Sequence, residues 1–354
     1  MRKYLLPEKG NFYKANLHCH STCSDGQWTP EQLKKNYMEH GYSVIAFTDH
    51  HVMYDHSYLN DDNFLALMGY EADISMRYGR RDRRGYQTCH MCYISLVPEN
   101  THVCYHGDPH GYVEKNAEKF PKETEFYRNA EIFEREYTPR CVNEMIARGR
   151  KNNYFVTYNH PHWSMEEYPD YIYYEGMNAL EIFNYSGYVY GFEDFAPDVY
   201  DEMLRAGKRI YCIAADDNHD AFVHESCKDD PYTPIDSFGG FTVINADDLK
   251  YKTIAKALVD GQFYASMGPE IHELYVEDGF VHIKCSEAAR IAMSTNSRYA
   301  KCVVPRDGSL ITEAKFPLKD GLKFIRLTVT DEKGKVACTN AYFADEIYEN
   351  QGEQ

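Results

Sequence analysis

The sequence predicts an α/β protein in which a barrel of parallel strands and helices precedes a small antiparallel β domain. Between residues 14 and 268, short apolar segments typical of strands alternate with amphipathic segments typical of helices. His, Asp and Glu repeatedly follow the strand-like segments. From residue 271 onward, short alternating segments are separated by Asp-Gly and Lys-Gly turn pairs. The predicted domains are therefore 1–270 and 271–354.

The N-terminal region predicts one complete βαβ unit. Residues 14–20 form an apolar segment typical of a buried strand. The next helix is predicted by its ends, because Thr29 can cap it, Pro30 suits its first turn and Gln32 can complete a capping box. Gly41 can end this helix. The segment SVIAFTDHH supplies a second strand, and the order strand–helix–strand indicates parallel neighbours.

Further strands and helices continue the alternation. We predict strands in ALMGYEADIS, CHMCYISLV, YFVTYNHPHW, ALEIFN, RIYCIAADDNHD and GGFTVINA. Helices are predicted for residues 141–152 and for the segments FAPDVYDEMLRAGK and KYKTIAKALVDG. The repeated pattern favours a parallel α/β barrel over a sandwich. Residues 98–140 do not fit this alternation of strands and helices. We interpret them as a helical insertion or an active-site lid, and a surface loop without a role in the site is the alternative.

Composition and charge limit the classes of function. The chain has 354 residues, of which 43% are hydrophobic, and this is enough for a substantial core. The formal net charge of −17 argues against general binding of nucleic acid, because such binding needs a basic surface. It still allows a small phosphorylated ligand, because a metal site can supply local positive charge. We recognise no export signal and no membrane-spanning stretch. We therefore expect a cytoplasmic protein whose 11 cysteines are reduced thiols.

Metal-binding residue types stand where the predicted strands end. In an α/β barrel, the C-terminal ends of the strands meet on one face and carry the functional residues. His18 and His20 end the first strand, and both imidazoles can face one ion because residues i and i+2 of a strand point the same way. The other strand ends supply Asp49, His50, Glu71, His90, His160, Asp217 and His219. Imidazole and carboxylate groups together suit Zn²⁺, Mn²⁺ or Fe²⁺.

Several motifs occur in a fixed order along the chain: NLHCHSTCSDG, AFTDHH, GYEADIS, HMCYI, YNHPHW and ADDNHD. This series, which extends from Ala15 to Gly268, resembles the ordered motifs of the polymerase and histidinol phosphatase (PHP) family of metal-dependent phosphoesterases. The resemblance implies a distorted (β/α)7 barrel with two or three divalent metal ions at the strand ends. The insert SMRYGRRDRRGYQTC between Glu71 and His90 is the longest departure from the family pattern.

The resemblance also implies which side chains share an ion. The implied ligand sets are His18, His20, Glu71 and Asp217 for one ion, Glu71, His90 and His160 for a second, and Asp25, His50 and His219 for a third. Asp49 would orient His50 or its neighbour without binding an ion itself. Asp216 stays open as an alternative to Asp217, which we favour because Asp-x-His places both side chains on one side of an extended segment.

The chemistry of such a cluster favours hydrolysis of phosphate esters. Divalent ions lower the pKa of bound water and neutralise phosphate oxygens, so that a hydroxide bridging two ions would attack phosphorus. We therefore predict a metal-dependent phosphoric ester hydrolase that acts on a small-molecule mono- or diester, such as a nucleotide or a sugar phosphate. The open alternatives are a metal-dependent C–N hydrolase of the amidohydrolase type and a non-catalytic, metal-stabilised binding protein.

The residues predicted to contact substrate are Arg77, Arg80, Arg81, His162 and Asn184. Guanidinium groups can fork onto phosphate, although solvated arginines at a hairpin tip are the alternative. His162 follows a predicted ligand by two residues and could protonate the leaving oxygen. Asn184 ends a strand, where a turn-forming asparagine is the alternative. The expected partner is the small phosphorylated substrate, without a membrane or any nucleic acid beyond a short nucleotide. A homo-oligomer is left open.

Overall fold

The protein is described here by a computed structural model, in residues 2–76, 86–100 and 102–348. The helices of this part of the chain are α1 Pro30–Glu39, α2 Tyr112–Lys115, α3 Pro121–Asn129, α4 Pro139–Lys151, α5 Tyr168–Tyr171, α6 Tyr185–Gly187, α7 Pro197–Arg205, α8 Tyr251–Val259 and α9 Ala344–Tyr348. Short helical turns lie at Ser57–Leu59, Tyr188–Phe192 and Ala221–Val223. Among the described residues, no helix combines the length and the apolar character that crossing a membrane requires.

The strands form one large sheet and one small antiparallel sheet, so the fold is mixed α/β. The strands are β1 Lys3–Tyr4, β2 Asn11–Asn16, β3 Val44–Phe47, β4 Leu65–Ser75, β5 Thr88–Ser95, β6 Tyr154–Tyr158, β7 Ala179–Asn184, β8 Tyr211–Ala215, β9 Phe241–Ala246, β10 Phe263–Ser266, β11 Ile271–Glu277, β12 Phe280–Ala288, β13 Arg290–Thr295, β14 Lys301–Val303, β15 Ile311–Pro317, β16 Phe324–Thr330, β17 Val336–Thr339 and β18 Tyr342–Phe343. The large sheet has the order β14-β13-β16-β17-β10-β9-β2-β3-β4-β5-β6-β7-β8, and β18 pairs with β16. The small sheet has the order β1-β11-β12-β15.

The large sheet is only partly parallel, which corrects the prediction of a parallel sheet. The pairs β2–β3, β3–β4, β6–β7 and β7–β8 are parallel. Strand β5, however, is antiparallel to both β4 and β6, and β9 is antiparallel to β2. Apolar periodicity identifies a strand without giving its direction, and a short connection such as that between β4 and β5 joins antiparallel neighbours.

The two ends of the strand series β2 to β8 approach each other beyond the regular ladders. An isolated parallel bridge joins Cys19 and Asn218. Beside it, the backbone N–H of Asp217 donates to the carbonyl of His18, at 2.9 Å, and that of His20 donates to the carbonyl of Asn218, at 3.2 Å. These bonds bring the chain after β8 next to the chain after β2. The predicted closed (β/α)7 barrel stays a prediction, because strands β2 and β8 themselves do not form a ladder.

Helix α1 follows its sequence prediction closely. The side chain of Thr29 accepts a hydrogen bond from the backbone N–H of Gln32, and the Gln32 side chain accepts one from the backbone of Thr29. This reciprocal capping satisfies N–H groups that a helix start leaves without partners. Leu33 and Tyr37 are the buried face of the helix, and Gly41 follows its end with a φ of 78°. The predicted start, first turn and end are confirmed.

The C-terminal strands are antiparallel, as predicted, but they belong to two sheets. Strands β11, β12 and β15 form the small sheet with β1, whereas β13, β14, β16 and β17 extend the large sheet through the pairing of β17 with β10. Both sheets bury side chains in one apolar cluster, which includes Leu274 and Val281 from the small sheet and Ile291 and Leu327 from the large one. The boundary between 270 and 271 remains a prediction, since hydrogen bonding continues across it.

The insertion 98–140 is partly helical and packs against the site-bearing loops. It contains α2 and α3, and its residues Lys115 and Asn116 donate hydrogen bonds to the carbonyls of Ser24 and Cys23. The hydroxyl of Tyr127 bonds both backbone groups of Met53. The insertion therefore supports the loops that carry the candidate ligands, and none of its described residues lines the pocket in front of them.

Candidate metal centre

The loop that carries His20 is held by a buried carboxylate. Asp49 Oδ1 accepts hydrogen bonds from the backbone N–H groups of Ser21, at 2.8 Å, and Ser24, at 3.0 Å, and both hydroxyls also donate to Asp49. Gly26 closes this loop, because a Cβ there would lie 2.5 Å from the carbonyl oxygen of His20. In the described contacts Asp49 thus holds the loop of His20, whereas we predicted that it orients His50 or its neighbour.

Four predicted ligands form the first group of the site, in which all members but Asp217 are buried. They are His18, His20, Glu71 and Asp217, and one ligand atom from each lies within 4.8 Å of the others. Asp217 Oδ1 is 3.0 Å from Nε2 of both His18 and His20. Glu71 Oε1 is 3.2 Å from His18 Nε2. These four side chains are therefore close enough to bind one ion together.

Glu71 also belongs to a second group. Its Oε1 lies 3.1 Å from His90 Nδ1 and 3.3 Å from His160 Nε2. The antiparallel pairing of β4 with β5 places Glu71 opposite Cys92, two residues from His90 in the same strand and hence on the same face. The carboxylate of Glu71 can consequently be shared between two ions, which is the bridging position that the sequence resemblance implies.

The third group is more open than the other two. It brings together His20, Asp25, His50 and His219, so that the structure adds His20 to the predicted set. Asp25 Oδ2 lies 3.6 Å from Nε2 of both His50 and His219. The side chain of Asp25 is 39% exposed and that of His219 is 30% exposed, whereas those of His18 and Glu71 are 1% exposed. An ion in this group would be the one that solvent and substrate reach first.

The arrangement of donor atoms in the first group fits a cation. His18 Nε2 and His20 Nε2 face each other at 3.2 Å. Asp217 Oδ1 is buried and makes no hydrogen bond to any residue of the described ranges, although both of these nitrogens are 3.0 Å away. Lone pairs that converge in this way, on nitrogen and oxygen atoms typical of Zn²⁺, Mn²⁺ or Fe²⁺ sites, match a divalent ion better than a hydrogen-bond network.

Charges in the cluster shift the pKa values of its members in opposite directions. Burial works against protonation of His160, but contacts with Glu71 and Asp217 outweigh it and raise the pKa of His160 to about 9. Burial is likewise outweighed at His219, whose pKa the Asp25 carboxylate raises to about 10. At His50, burial and the nearby His20 lower the pKa to about 3. A divalent ion would replace the protons held here, because metal ligands bind in their deprotonated forms.

Sequence reasoning missed Glu181, which lies in the middle of β7. Its Oε1 is 3.1 Å from His18 Nδ1, and its Oε2 accepts a hydrogen bond from the backbone N–H of His160 at 3.0 Å. This contact holds the His18 ring so that Nε2 points at the first group. A charged residue inside the otherwise apolar segment ALEIFN was the available signal. Buried carboxylates need partners, and those partners are usually functional when they are histidines.

Asn184 and His162, both predicted to contact substrate, have different surroundings. Asn184 is buried and its amide donates to Glu181 Oε2, at 2.9 Å, and to Asp217 Oδ2, at 3.1 Å. His162 instead contacts the carbonyl of Glu193 and does not line the pocket in front of the metal-binding groups. The predicted residues Arg77, Arg80 and Arg81 lie outside the described residues. Asp216, the alternative to Asp217, accepts backbone N–H bonds from residues 238–240 and is not part of any ligand group.

Backbone strain accompanies two of the ligands. His160 has a φ of 28° and Asp217 a φ of 54°, in the left-handed region that favours glycine. Such conformations persist where surrounding contacts enforce them, and they concentrate at functional sites. His160 is held by the Glu181 contact to its backbone and by Ser164 Oγ, 3.1 Å from its Nδ1. The strained backbone conformations of His160 and Asp217 therefore help to position these two predicted ligands.

A pocket of about 530 Å³ opens in front of the three groups. Its lining includes residues of the ligand groups, namely Asp25, His50, Glu71, His90, His160, Asp217 and His219. The rest of the lining is Trp163, Ser186, Gly187, Tyr190, Phe192 and Asp236. The volume lies in the range of small-molecule sites. The pocket therefore gives a small ligand direct access to the candidate metal centre.

Comparison with known proteins finds similarity to solved structures, but no match to a protein-family model or to a curated protein. A solved structure from Bacteroides vulgatus ATCC 8482, described as a two-domain protein containing a predicted PHP-like metal-dependent phosphoesterase, is similar over 96% of this chain and 98% of its own, at 14% identity and a TM-score of 0.43. The family that the sequence motifs resemble thus also appears among the structural neighbours.

Two further solved structures are similar over part of the chain. One, from Bifidobacterium adolescentis ATCC 15703, carries the provisional description of a metal-dependent phosphoesterase; the match covers 60% of this chain and 89% of that one, at 13% identity and a TM-score of 0.36. The other is an amidohydrolase from Chromobacterium violaceum with bound sulfate and no metal. The match covers 58% of this chain and 87% of that one, at 13% identity and a TM-score of 0.35. At these TM-scores, the function has to be argued from the side chains of this chain.

Proposed function

We propose that this protein is a metal-dependent hydrolase of phosphate esters, acting on a small-molecule mono- or diester such as a nucleotide or a sugar phosphate. The observation that carries the proposal is the sharing of ligands between adjacent groups. Glu71 belongs to the first and second groups, and His20 belongs to the first and third. Ions bound to groups that share side chains would stand side by side, as in the multi-metal sites that hydrolyse phosphate esters.

The number of carboxylates in the cluster supports more than one ion. Asp25, Glu71 and Asp217 all take part in ligand groups, and Glu181 stands directly behind His18. Burying this much negative charge is unfavourable unless cations compensate it. When bound, divalent ions would supply Lewis-acid activation of water and would neutralise phosphate charge.

The remaining tasks fall to residues of the chain. Glu181 and Ser164 fix the imidazoles of His18 and His160 from behind, so that the opposite ring nitrogens point into the groups. Asn184 holds the carboxylates of Glu181 and Asp217 in one arrangement. Such outer contacts set the ring orientation and raise the basicity of ligands. The side chain of Asp25, half open to the pocket, lies where a phosphate would arrive.

The charge of the pocket favours an anionic substrate once metal is bound. Among the described residues that line the pocket, none is Lys or Arg. A phosphate group would therefore find its positive partner at the metal centre itself. An amide substrate has no charge of this kind to neutralise, and the carboxylate-rich, three-group ligand set offers it no evident advantage.

A comparison of substrates on metal-loaded protein tests the proposal. Metal is removed by a chelator and restored as Mn²⁺, Zn²⁺ or Fe²⁺, and kcat/KM is measured for p-nitrophenyl phosphate, its diester and a panel of amides. We expect turnover of phosphate esters that requires metal and no turnover of amides. Faster hydrolysis of amides would assign the protein to C–N hydrolases. Tight binding of phosphate esters without turnover in any metal would indicate a binding protein instead.

Two histidine variants control this experiment. His18→Ala removes a ligand of the first group, and we expect a loss of turnover of at least about 100-fold with an unchanged far-UV circular dichroism spectrum. His272→Ala changes an exposed histidine whose contact is with Glu270, remote from the pocket. It is expected to retain full turnover. Equal activity of His18→Ala and His272→Ala would reject the metal-dependent mechanism.

A further inference from the structure

Part of the pocket lining beside the ligand groups is aromatic. We use the name aromatic wall for Trp163, Tyr190 and Phe192, which line the same pocket as the metal-binding groups. Their exposed fractions are 39%, 41% and 38%. Single exposed aromatic residues need no explanation, but a group of three around one concave site beside a charged cluster is typical of a ligand-binding surface.

The indole of Trp163 is placed beside the ligand groups by the turn after β6. Its ring stands nearly perpendicular to the imidazole of His160, with centroids 4.9 Å apart, and to that of His90, with centroids 5.2 Å apart. The backbone N–H of Trp163 donates to Asp194 Oδ2 at 3.0 Å, which fixes the turn. The indole is thus one ring away from the atoms that would hold the second ion.

The turn Tyr188–Phe192 supplies the other two members of the aromatic wall. Gly191 takes a φ of 91° there, which lets the chain reverse direction and present Tyr190 and Phe192 to the pocket. The ring of Phe192 meets that of Trp163 with centroids 6.4 Å apart and planes at 66°. At Gly187, a Cβ would lie 2.9 Å from the Cβ of Asp194, so the turn packs closely at its base. The aromatic wall is therefore a built surface.

A phosphate ester bound across this pocket would present its two ends to two different surfaces. Its charged phosphate belongs at the ligand groups, which leaves the alcohol portion against the rest of the pocket lining, where the aromatic wall lies. Aromatic side chains bind flat rings by stacked or edge-to-face contacts, and bind saturated chains with less specificity. The volume of about 530 Å³ accommodates a phosphorylated ring system.

We propose that the aromatic wall binds a planar ring in the leaving group, so that the preferred substrates are phosphate esters of ring-bearing alcohols. This inference rests on the proposed phosphoesterase function and narrows its substrate class. It predicts that a flat ring is preferred over a puckered ring of the same size. It also predicts that the preference depends on Trp163 and Phe192.

A matched pair of substrates separates ring planarity from chemical reactivity. Benzyl phosphate and cyclohexylmethyl phosphate both release a primary alcohol, but only the benzyl ring is flat. With Mn²⁺-loaded wild-type protein, we expect kcat/KM for benzyl phosphate to be about tenfold higher, mainly through a lower KM. Trp163→Ala and Phe192→Ala should each bring the ratio of the two kcat/KM values close to one. Trp163→Phe should keep most of the preference.

Tyr188→Ala is the matched control variant. Tyr188 lies in the same turn and is similarly exposed, but it packs on Phe183 and does not line the pocket. We expect it to keep the wild-type ratio. A wild-type ratio near one, or an equal fall of that ratio in Tyr188→Ala and Trp163→Ala, would overturn the inference. Failure to hydrolyse these two monoesters together with p-nitrophenyl phosphate and its diester would overturn the proposed function, on which the inference depends.

A binding measurement gives a second readout that needs no turnover. The chain has two tryptophans, and Trp28→Phe leaves Trp163 as the sole indole fluorophore. Phenylmethylphosphonate, which cannot be hydrolysed as an ester, should change the fluorescence of Trp163 in the Mn²⁺-loaded variant. Cyclohexylmethylphosphonate should bind about tenfold more weakly. Equal binding of the two phosphonates would reject the aromatic wall as a recognition surface.

Discussion

The carboxylate of Glu71 has five histidine nitrogens within 3.4 Å of its oxygens. Despite burial, these neighbours hold the pKa of Glu71 well below its ordinary value. A single residue thus connects strands that are distant in sequence, and its position decides which ions can be neighbours. At the residue scale, the proposed function therefore depends on side chains that are shared between neighbouring ligand groups.

Glu181→Gln tests a positioning residue that never touches an ion in the proposed arrangement. The change removes the charge that holds His18 Nδ1 at 3.1 Å but keeps the shape of the side chain. We expect metal affinity to fall by about 10–100-fold, because outer contacts of this kind orient metal-ligating histidines. Competition with a chelator measures this affinity. Glu118→Gln, at an exposed position, should leave it unchanged, and equal affinities in both variants would contradict the assignment.

Glu166 gives a pH dependence of stability that is separate from the metal centre. It is buried among the hydroxyls of Tyr137, Tyr158 and Tyr174, and burial raises its pKa from 4.5 to about 7. A raised pKa in the folded state means that the folded form binds the proton more tightly. The resulting stability is present below about pH 4.5 and is lost as pH rises through about 7, by up to ~3 kcal/mol.

Glu166→Gln removes this titration. Relative to wild type, the variant should therefore gain stability as the pH is raised from 5 to 8. The difference in Tm between the two proteins, measured by calorimetry across that range, gives the result. Glu175→Gln, at an exposed position, is the control and should show a constant difference. A difference for Glu166→Gln that does not change with pH would show that Glu166 keeps an ordinary pKa.

At the scale of elements, strands and the loops that follow them carry the candidate site, and the insertion 98–140 supports some of those loops. Helix α3 presents Tyr127, whose hydroxyl donates to the carbonyl of Met53 at 2.7 Å and accepts from its N–H at 2.8 Å. Met53 follows the ligand His50 by three residues. One buried hydroxyl therefore ties the insertion to the chain segment that leaves the third ligand group.

Tyr127→Phe should lower the free energy of unfolding by about 1–3 kcal/mol, because two buried backbone groups lose their partner while the ring is kept. Urea unfolding followed by circular dichroism measures this change. Tyr173→Phe removes the hydroxyl of a tyrosine that is 63% exposed, and it should change the free energy of unfolding by less than about 0.5 kcal/mol. If the two variants unfold alike, the insertion does not depend on this contact.

The whole molecule is held together by a sheet that runs through both of its predicted parts. Strand β17 pairs with β10, and a nearly buried ion pair joins Arg326 of β16 to Asp201 of α7 through contacts of 2.6 and 2.8 Å. The Arg326 side chain is 6% exposed. The C-terminal strands therefore share hydrogen bonds and a desolvated charge pair with the part that carries the site, and we expect one cooperative unfolding transition.

Asp201→Asn leaves the Arg326 charge buried without a counter-ion. We expect a loss of about 3 kcal/mol in the free energy of unfolding, as for other broken buried pairs, with a single transition retained. Asp345→Asn breaks the exposed pair with Arg209 and should cost less than about 1 kcal/mol. Scanning calorimetry of both variants measures the loss of stability and the number of unfolding transitions. Two separate transitions in Asp201→Asn would show that the parts unfold independently.

Much of the candidate site was predictable from the sequence because strand ends are marked by their residues. His18 and His20 are two positions apart just after β2, and Asp217 and His219 repeat this spacing just after β8. All nine predicted ligands fall within three of the five candidate groups among the described residues, while their roles as ligands stay predictions. The antiparallel direction of β5 was not predictable, because a buried strand has the same apolar residue pattern in parallel and in antiparallel pairing.

The sequence by itself determined the residue types at the strand ends, the capping of α1 and the alternation of strands and helices. These depend on local propensity and on neighbours a few positions apart. Only the tertiary structure decided that His20 is also shared by two groups, that Glu181 stands behind His18, and that three aromatic rings line the same pocket as the ligand groups. The physical reason is that these contacts of 3 to 5 Å join residues that are far apart in the sequence. Such contacts depend on the curvature and packing of the whole sheet.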